Sequence, residues 1–149
     1  MLQQRTLKSM TRAVGVGVHS GQKVELTLRP APADHGVVFK RIDLSGAPEL
    51  RPRVDQITDL VRATTIQNGH AKIHTVEHVL SALHGCGVDN ILIEMNASEP
   101  PIMDGSAATF VYLLRSAGLE EQAAPKRFMR VKKTVESLRN AYSRTETDY

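Results

Sequence analysis

The sequence predicts an α+β fold: a two-layer sandwich of a mostly antiparallel sheet with two helices packed on one of its faces. Three observations carry this. Residues 23–29 alternate apolar and polar side chains, the period-2 signature of a half-buried strand. Around residues 73–83 and 107–114 the period changes to three and four, which is helical. The resulting order is strands, helix, strand, helix, strand, and each helix has one apolar stripe to bury against the sheet.

Each element follows from local chemistry. Thr6–Val14 is expected to pair with one of the two strands that follow it. In Lys23–Arg29 the residues Val24, Leu26 and Leu28 share one face, and Pro30 and Pro32 end the run. Val37–Arg41 is a second short strand after the turn Asp34-His35-Gly36. Residues 42–60 hold Pro48 and Pro52 and read as an irregular connection with one edge strand. Val61–Ile66 is rich in β-branched residues and runs into Asn68-Gly69, a hairpin signal. Ile73, Val76, Leu80 and Leu83 mark an amphipathic helix closed by Gly85 and Gly87. Asn90–Met95 is an apolar run expected at the centre of the sheet. Pro100-Pro101 and Asp104-Gly105 stiffen the loop 97–105. Ser106 then offers a cap to a second helix bearing Ala107, Phe110, Val111 and Leu114, which stops near Gly118. Arg127–Val135 is read as a last strand. The polar tail 136–149 has no apolar period and is expected to be poorly ordered.

Composition narrows the function classes. The chain has 149 residues, 41% of them apolar, enough for one core without a disulfide or structural metal. One cysteine, Cys86, excludes a disulfide scaffold or a multi-cysteine zinc site. The formal charge of +3 is mild, Trp is absent and aromatics make up 4%, so nucleic acid is not an expected partner. The first ten residues are polar and charged, unlike a signal peptide, and no apolar run is long enough to span a membrane. A cytoplasmic location is expected.

The sharpest chemical signal is Ile73-His74-Thr75-Val76-Glu77-His78. On a helix His74, Glu77 and His78 share a face, with Ser81 between them and His84 at the edge. Imidazoles one turn apart can reach one zinc ion, and a neighbouring carboxylate can take a proton from metal-bound water. The same face also reads as an ordinary solvated helix surface. The letters further match H-x-x-E-H, a metalloprotease pattern in which both His74 and His78 are ligands. That pattern needs a third, downstream ligand, for which Glu136 and Glu146 stand by position. Gly15-Val16-Gly17-Val18-His19-Ser20-Gly21 is either a glycine-rich turn or a place where backbone approaches a ligand. Pro101–Ala107 reads as a rigid turn and helix cap rather than an anion loop. Lys126, Arg127, Arg130, Lys132 and Lys133 read as the wet face of the last strand, and Cys86 as a packed, inert thiol.

Several stretches together resemble one family, the zinc-dependent UDP-3-O-acyl-N-acetylglucosamine deacetylases of lipid A synthesis in Gram-negative bacteria. They are Gln4–Leu7, Gly15–Gly21, Leu26–Pro32, Thr75–His78, Gly87–Asn90 and Pro101–Ala107. The resemblance covers residues 1–135, the amino-terminal domain of a family built from two similar α+β domains with helical layers face to face. It implies that His78 is a Zn2+ ligand, that Glu77 is the general base, and that His19 is a weak substrate contact. His74 lies outside the implied ligand set. Family members run to roughly twice this length, and their second domain supplies another histidine, an aspartate and a histidine general acid. On this basis the chain alone is expected to be inactive, with UDP-3-O-acyl-N-acetylglucosamine as substrate of the completed enzyme. A non-catalytic role, binding a second domain or another copy through exposed helices, is the alternative outside enzymology.

Overall fold

A strand forms where the alternation at residues 23–29 places it, and the rest of the sheet is assembled around it. The computed structural model describes residues 2–134. Strands β1 (Gln3–Leu7), β2 (Thr11–Val16), β3 (Lys23–Pro30), β4 (Val37–Arg41) and β5 (Glu49–Leu50) come first. A short 3-10 turn, Val54–Gln56, leads to β6 (Ile57–Asp59), β7 (Thr65–Asn68) and β8 (Ala71–Ile73). Then follow α1 (Glu77–Cys86), β9 (Ile91–Met95), α2 (Ala108–Ala117) and β10 (Leu119–Pro125).

The main sheet has five strands in the order β2-β3-β9-β4-β5. All its neighbours are antiparallel except β4 and β9, which run parallel. The apolar run Ile91–Met95 is central, as expected. Its register aligns Leu28, Ile93 and Phe39 in one row across three strands, all buried. Val79, Ala82 and Leu83 of α1 and Phe110 and Leu114 of α2 join that face in a single apolar core. The two-layer α+β architecture is therefore present, with a three-stranded β6-β7-β8 sheet and a β1–β10 ribbon added to it.

Segment 6–14 forms two strands rather than one. β1 pairs with β10 and β2 with β3, separated by a bend at Lys8–Met10. The last described strand is β10; of the strand expected at Arg127–Val135, residues 127–134 form none and Val135 lies outside the described residues. Met129 and Val131 alternate in sequence but are exposed, with no apolar surface to meet. Backbone pairing with β1 fixes β10 instead, although its sequence LEEQAAP has little alternation. The tail 136–149 lies outside the described residues.

A buried polar cluster joins the ribbon to the main sheet. The Asn90 amide donates to Gln4 Oε1 at 2.8 Å and Gln122 Oε1 at 2.7 Å. Its own oxygen accepts from the Gly36 N–H at 2.8 Å. Thr6 Oγ1 donates to the Asn90 carbonyl and accepts from the Ala31 N–H. Each group finds a partner, so burying them carries no desolvation penalty left uncompensated. No helix among the described residues is long and apolar enough to cross a membrane.

Candidate functional site

The helix that carries Glu77 and His78 begins later than its sequence period implies. Ile73 belongs to β8, and residues 74–76 form a connection before α1 starts at Glu77. Thr75 sits there in the left-handed region at φ 57°. That conformation breaks the helical period, so His74 does not share a helix face with Glu77 and His78. The shared three-residue face expected from spacing is thus corrected. The apolar positions 73 and 76 coincide with helical spacing only because both are buried from different elements.

His74 is tied elsewhere. Its N–H donates to the Ser98 carbonyl at 2.9 Å, and its Nδ1 lies 2.9 Å from Thr65 Oγ1. Glu77 and His78 remain neighbours on the first turn of α1, both half-buried. The Thr64 N–H donates to Glu77 Oε2 at 3.1 Å, which fixes the orientation of that carboxylate. Ser81 and His84 are exposed further along the helix. Cys86 is a half-buried free thiol at its end, beside the left-handed Gly87 that closes the helix.

A second carboxylate, Glu99, escaped the sequence reading. It is 1% exposed, although charged residues are almost never fully buried without partners. It accepts from the Thr75 hydroxyl at 2.6 Å, the Ser20 N–H at 3.0 Å and the His19 N–H at 3.1 Å. Burial, the largest single influence, pushes its pKa up. The hydrogen bonds from Thr75, Ser20 and His19 outweigh burial and hold it below its ordinary 4.5. The glycine-rich stretch 15–21 serves this packing. A Cβ on Gly17 would collide with Ser20 Oγ and the Glu99 carboxylate, and one on Gly15 with Pro101. These glycines admit the protein's own loop.

His19, Ser20, Ala63, Thr65, His74 and Glu99 help line a pocket of about 340 Å³. The structure therefore brings His19 and His74 to one pocket. Its wall at 63–65 continues through Thr64 to Glu77, while Glu77 and His78 do not themselves line it. The Pro101–Ala107 stretch is a turn: Asp104 Oδ1 accepts from the Ser106 N–H, and Ser106 Oγ accepts from the Ala108 N–H, while the N-cap of α2 is Ala107, with no side-chain cap, rather than Ser106.

A catalytic zinc normally takes three protein ligands plus water. Among the described residues no group of three or more His, Cys, Asp or Glu side chains is placed to hold a metal. His78 can offer one ligand and no more, so these residues do not by themselves fit a zinc centre. Glu136 and Glu146 lie outside the described residues.

Two carboxylates held by hydrogen bonds, Glu99 and the more exposed Asp43, make a pH prediction. Asp43 is held below its ordinary 3.8, first by hydrogen bonds from Arg41, at 2.8 and 2.6 Å, while partial burial opposes the shift. Both Asp43 and Glu99 bind protons more weakly folded than unfolded. The unfolded chain then takes up more protons as the pH falls, so their stabilising contribution is full above the unfolded values and is lost as the pH falls through the folded ones. The melting temperature should hold steady from about pH 7 to about pH 5 and fall below that, less steeply in Glu99→Gln. A profile flat down to about pH 3 would contradict this.

Comparison with known proteins gives one consistent result. A family model described as UDP-3-O-acyl N-acetylglycosamine deacetylase matches residues 4–146. A UDP-3-O-acyl-N-acetylglucosamine deacetylase of Stenotrophomonas maltophilia strain K279a is 57% identical over 136 residues, covering 91% of this chain and 45% of that protein. Proteins of the same name from Teredinibacter turnerae and Xanthomonas oryzae pv. oryzae are 54% and 56% identical, with the same coverage. The chain spans about 45% of the length of these curated relatives.

Proposed function

The chain belongs to the UDP-3-O-acyl N-acetylglycosamine deacetylase family, and from that premise we propose that it supplies the general base and one metal ligand of a zinc-dependent deacetylase acting in lipid A synthesis. The substrate is UDP-3-O-acyl-N-acetylglucosamine. A water oxygen attacks the acetyl carbon, the nitrogen takes up a proton as the carbon–nitrogen bond breaks, and acetate and the free amine leave. Glu77 takes the proton of the attacking water. The observation that supports this is Glu77 beside His78 on the first turn of α1, its carboxylate held by the Thr64 N–H. A carboxylate so held is pre-oriented for proton transfer. Zinc, when bound, would lower the pKa of water and polarise the acetyl carbonyl. His78 would be one of its ligands, and the others would come from residues outside those described. His19, on the wall of the neighbouring pocket, is a candidate substrate contact.

The complementing part of the enzyme is proposed to cover the outer helix faces, where Ser81, His84 and Tyr112 are exposed. A chimera tests the reading. This chain replaces the matching segment of the Stenotrophomonas maltophilia protein, and acetate release is measured with added zinc. Turnover that vanishes in His78→Ala is expected, whereas the 149-residue chain alone should release none. A folded chimera without turnover, or one indifferent to His78→Ala, would overturn it.

A further inference from the structure

We propose that Glu99 is a positioning residue: by holding Thr75 in its left-handed conformation it sets where α1 begins, and with it the placement of Glu77 and His78. The functional weight of this placement rests on the reading above; the placement itself does not. A β-branched residue at φ 57° is a strained outlier that persists only where its surroundings over-determine it. Two adjacent residues of the 97–101 loop do so here. The Ser98 carbonyl accepts from the His74 N–H, and the Glu99 carboxylate accepts from the Thr75 hydroxyl. Pro100 and Pro101 fix the backbone just beyond them. Glu99 has no salt-bridge partner among the described residues, so donors from residues 19, 20 and 75 alone satisfy its buried charge. The one side chain thus ties the His19–Ser20 turn, on the pocket wall, to the residue two positions before Glu77.

A buried charge that merely stabilised the fold would act on all elements alike. A positioning group acts first on the segment it holds. Native-state hydrogen exchange separates the two without zinc or turnover. The reporters are the His74 N–H, bonded to Ser98, and the Leu80 N–H, bonded to Val76. The Val88 N–H, bonded to Leu83 at the far end of α1, is the control. In Glu99→Gln, exchange at His74 and Leu80 should quicken about tenfold or more relative to Val88. Adding Thr75→Gly should restore Leu80 to within about threefold of the starting chain, because glycine adopts this φ unaided. Equal acceleration of all three amides, or no rescue by glycine, would overturn the proposal. Should Glu99→Gln fail to fold, Thr75→Val decides: Leu80 quickens while the Ser20 amide, still bonded to Glu99, does not. An unchanged Leu80 in that variant would also overturn it. These exchange results together with a chimera inert toward substrate would reject the deacetylase reading and leave the positioning role standing.

Discussion

Replacing Glu77 with glutamine should lower acetate release by the chimeric enzyme about 10²–10⁴-fold, the usual contribution of a general base. The amide oxygen can still accept from the Thr64 N–H, so the start of α1 keeps its anchor. The loss should therefore fall on kcat, with KM little changed, because proton acceptance matters only in the transition state. His74→Ala separates this chemistry from the H-x-x-E-H protease pattern. In the protease pattern His74 is a ligand equal to His78, and either replacement abolishes zinc binding. In the structure His74 bonds Ser98 and Thr65 from outside the helix, so its loss should cost far less than that of His78. Steady-state kinetics and metal content of the three variants provide the check. Equal loss of zinc at positions 74 and 78, or full turnover in Glu77→Gln, would sink the deacetylase assignment of these residues.

Asn90→Ala should cost about 3 kcal/mol, lowering the melting temperature by about 10 °C. The side chain makes three hydrogen bonds in a site 1% exposed, and truncation strands the Gly36 N–H and the Gln122 Oε1, while Gln4 Oε1 keeps only the Asp34 N–H. Such stranded groups each cost roughly 1–3 kcal/mol, with some recovery where water enters. An exposed pair such as Arg53–Asp55 is screened by solvent and contributes little by comparison. Thermal melts of the two single variants compare them directly. A drop at Asn90 no larger than at Arg53 would mean the cluster does not hold the ribbon.

The legible parts of the fold were those where periodicity and burial agree. β3, β4, β9 and α2 stand where their spacing puts them, because each has one face in the core. The cap of α2 falls on Ala107 rather than Ser106 and carries no side-chain hydrogen bond; Ser106 closes the preceding turn instead, its hydroxyl accepting from the Ala108 N–H. The β1–β10 ribbon was not legible, since backbone pairing across 112 or more residues leaves little trace in the local pattern of LEEQAAP. His74 misled because Ile73 and Val76 happen to be buried at helical spacing from a strand and a connection. Among site residues, the adjacency of Glu77 and His78 was readable from the letters. Glu99 was not, because its donors lie near residues 20 and 75, and only the fold brings them together.

The parallel pairing of β4 with β9 also fixes a timetable. β9 lies between β3 and β4, yet about fifty residues separate it from β4 in the chain. Strands β3 and β4 are not partners in the fold; each pairs with β9 instead. A ribosome that has delivered residue 90 has therefore exposed Val24, Leu26, Leu28 and Phe39 with no central strand to receive them. Closure of β1 by β10 comes later still. Contacts this distant in sequence slow folding, so until β9 is delivered the growing chain is an open, apolar client for whatever holds nascent proteins apart.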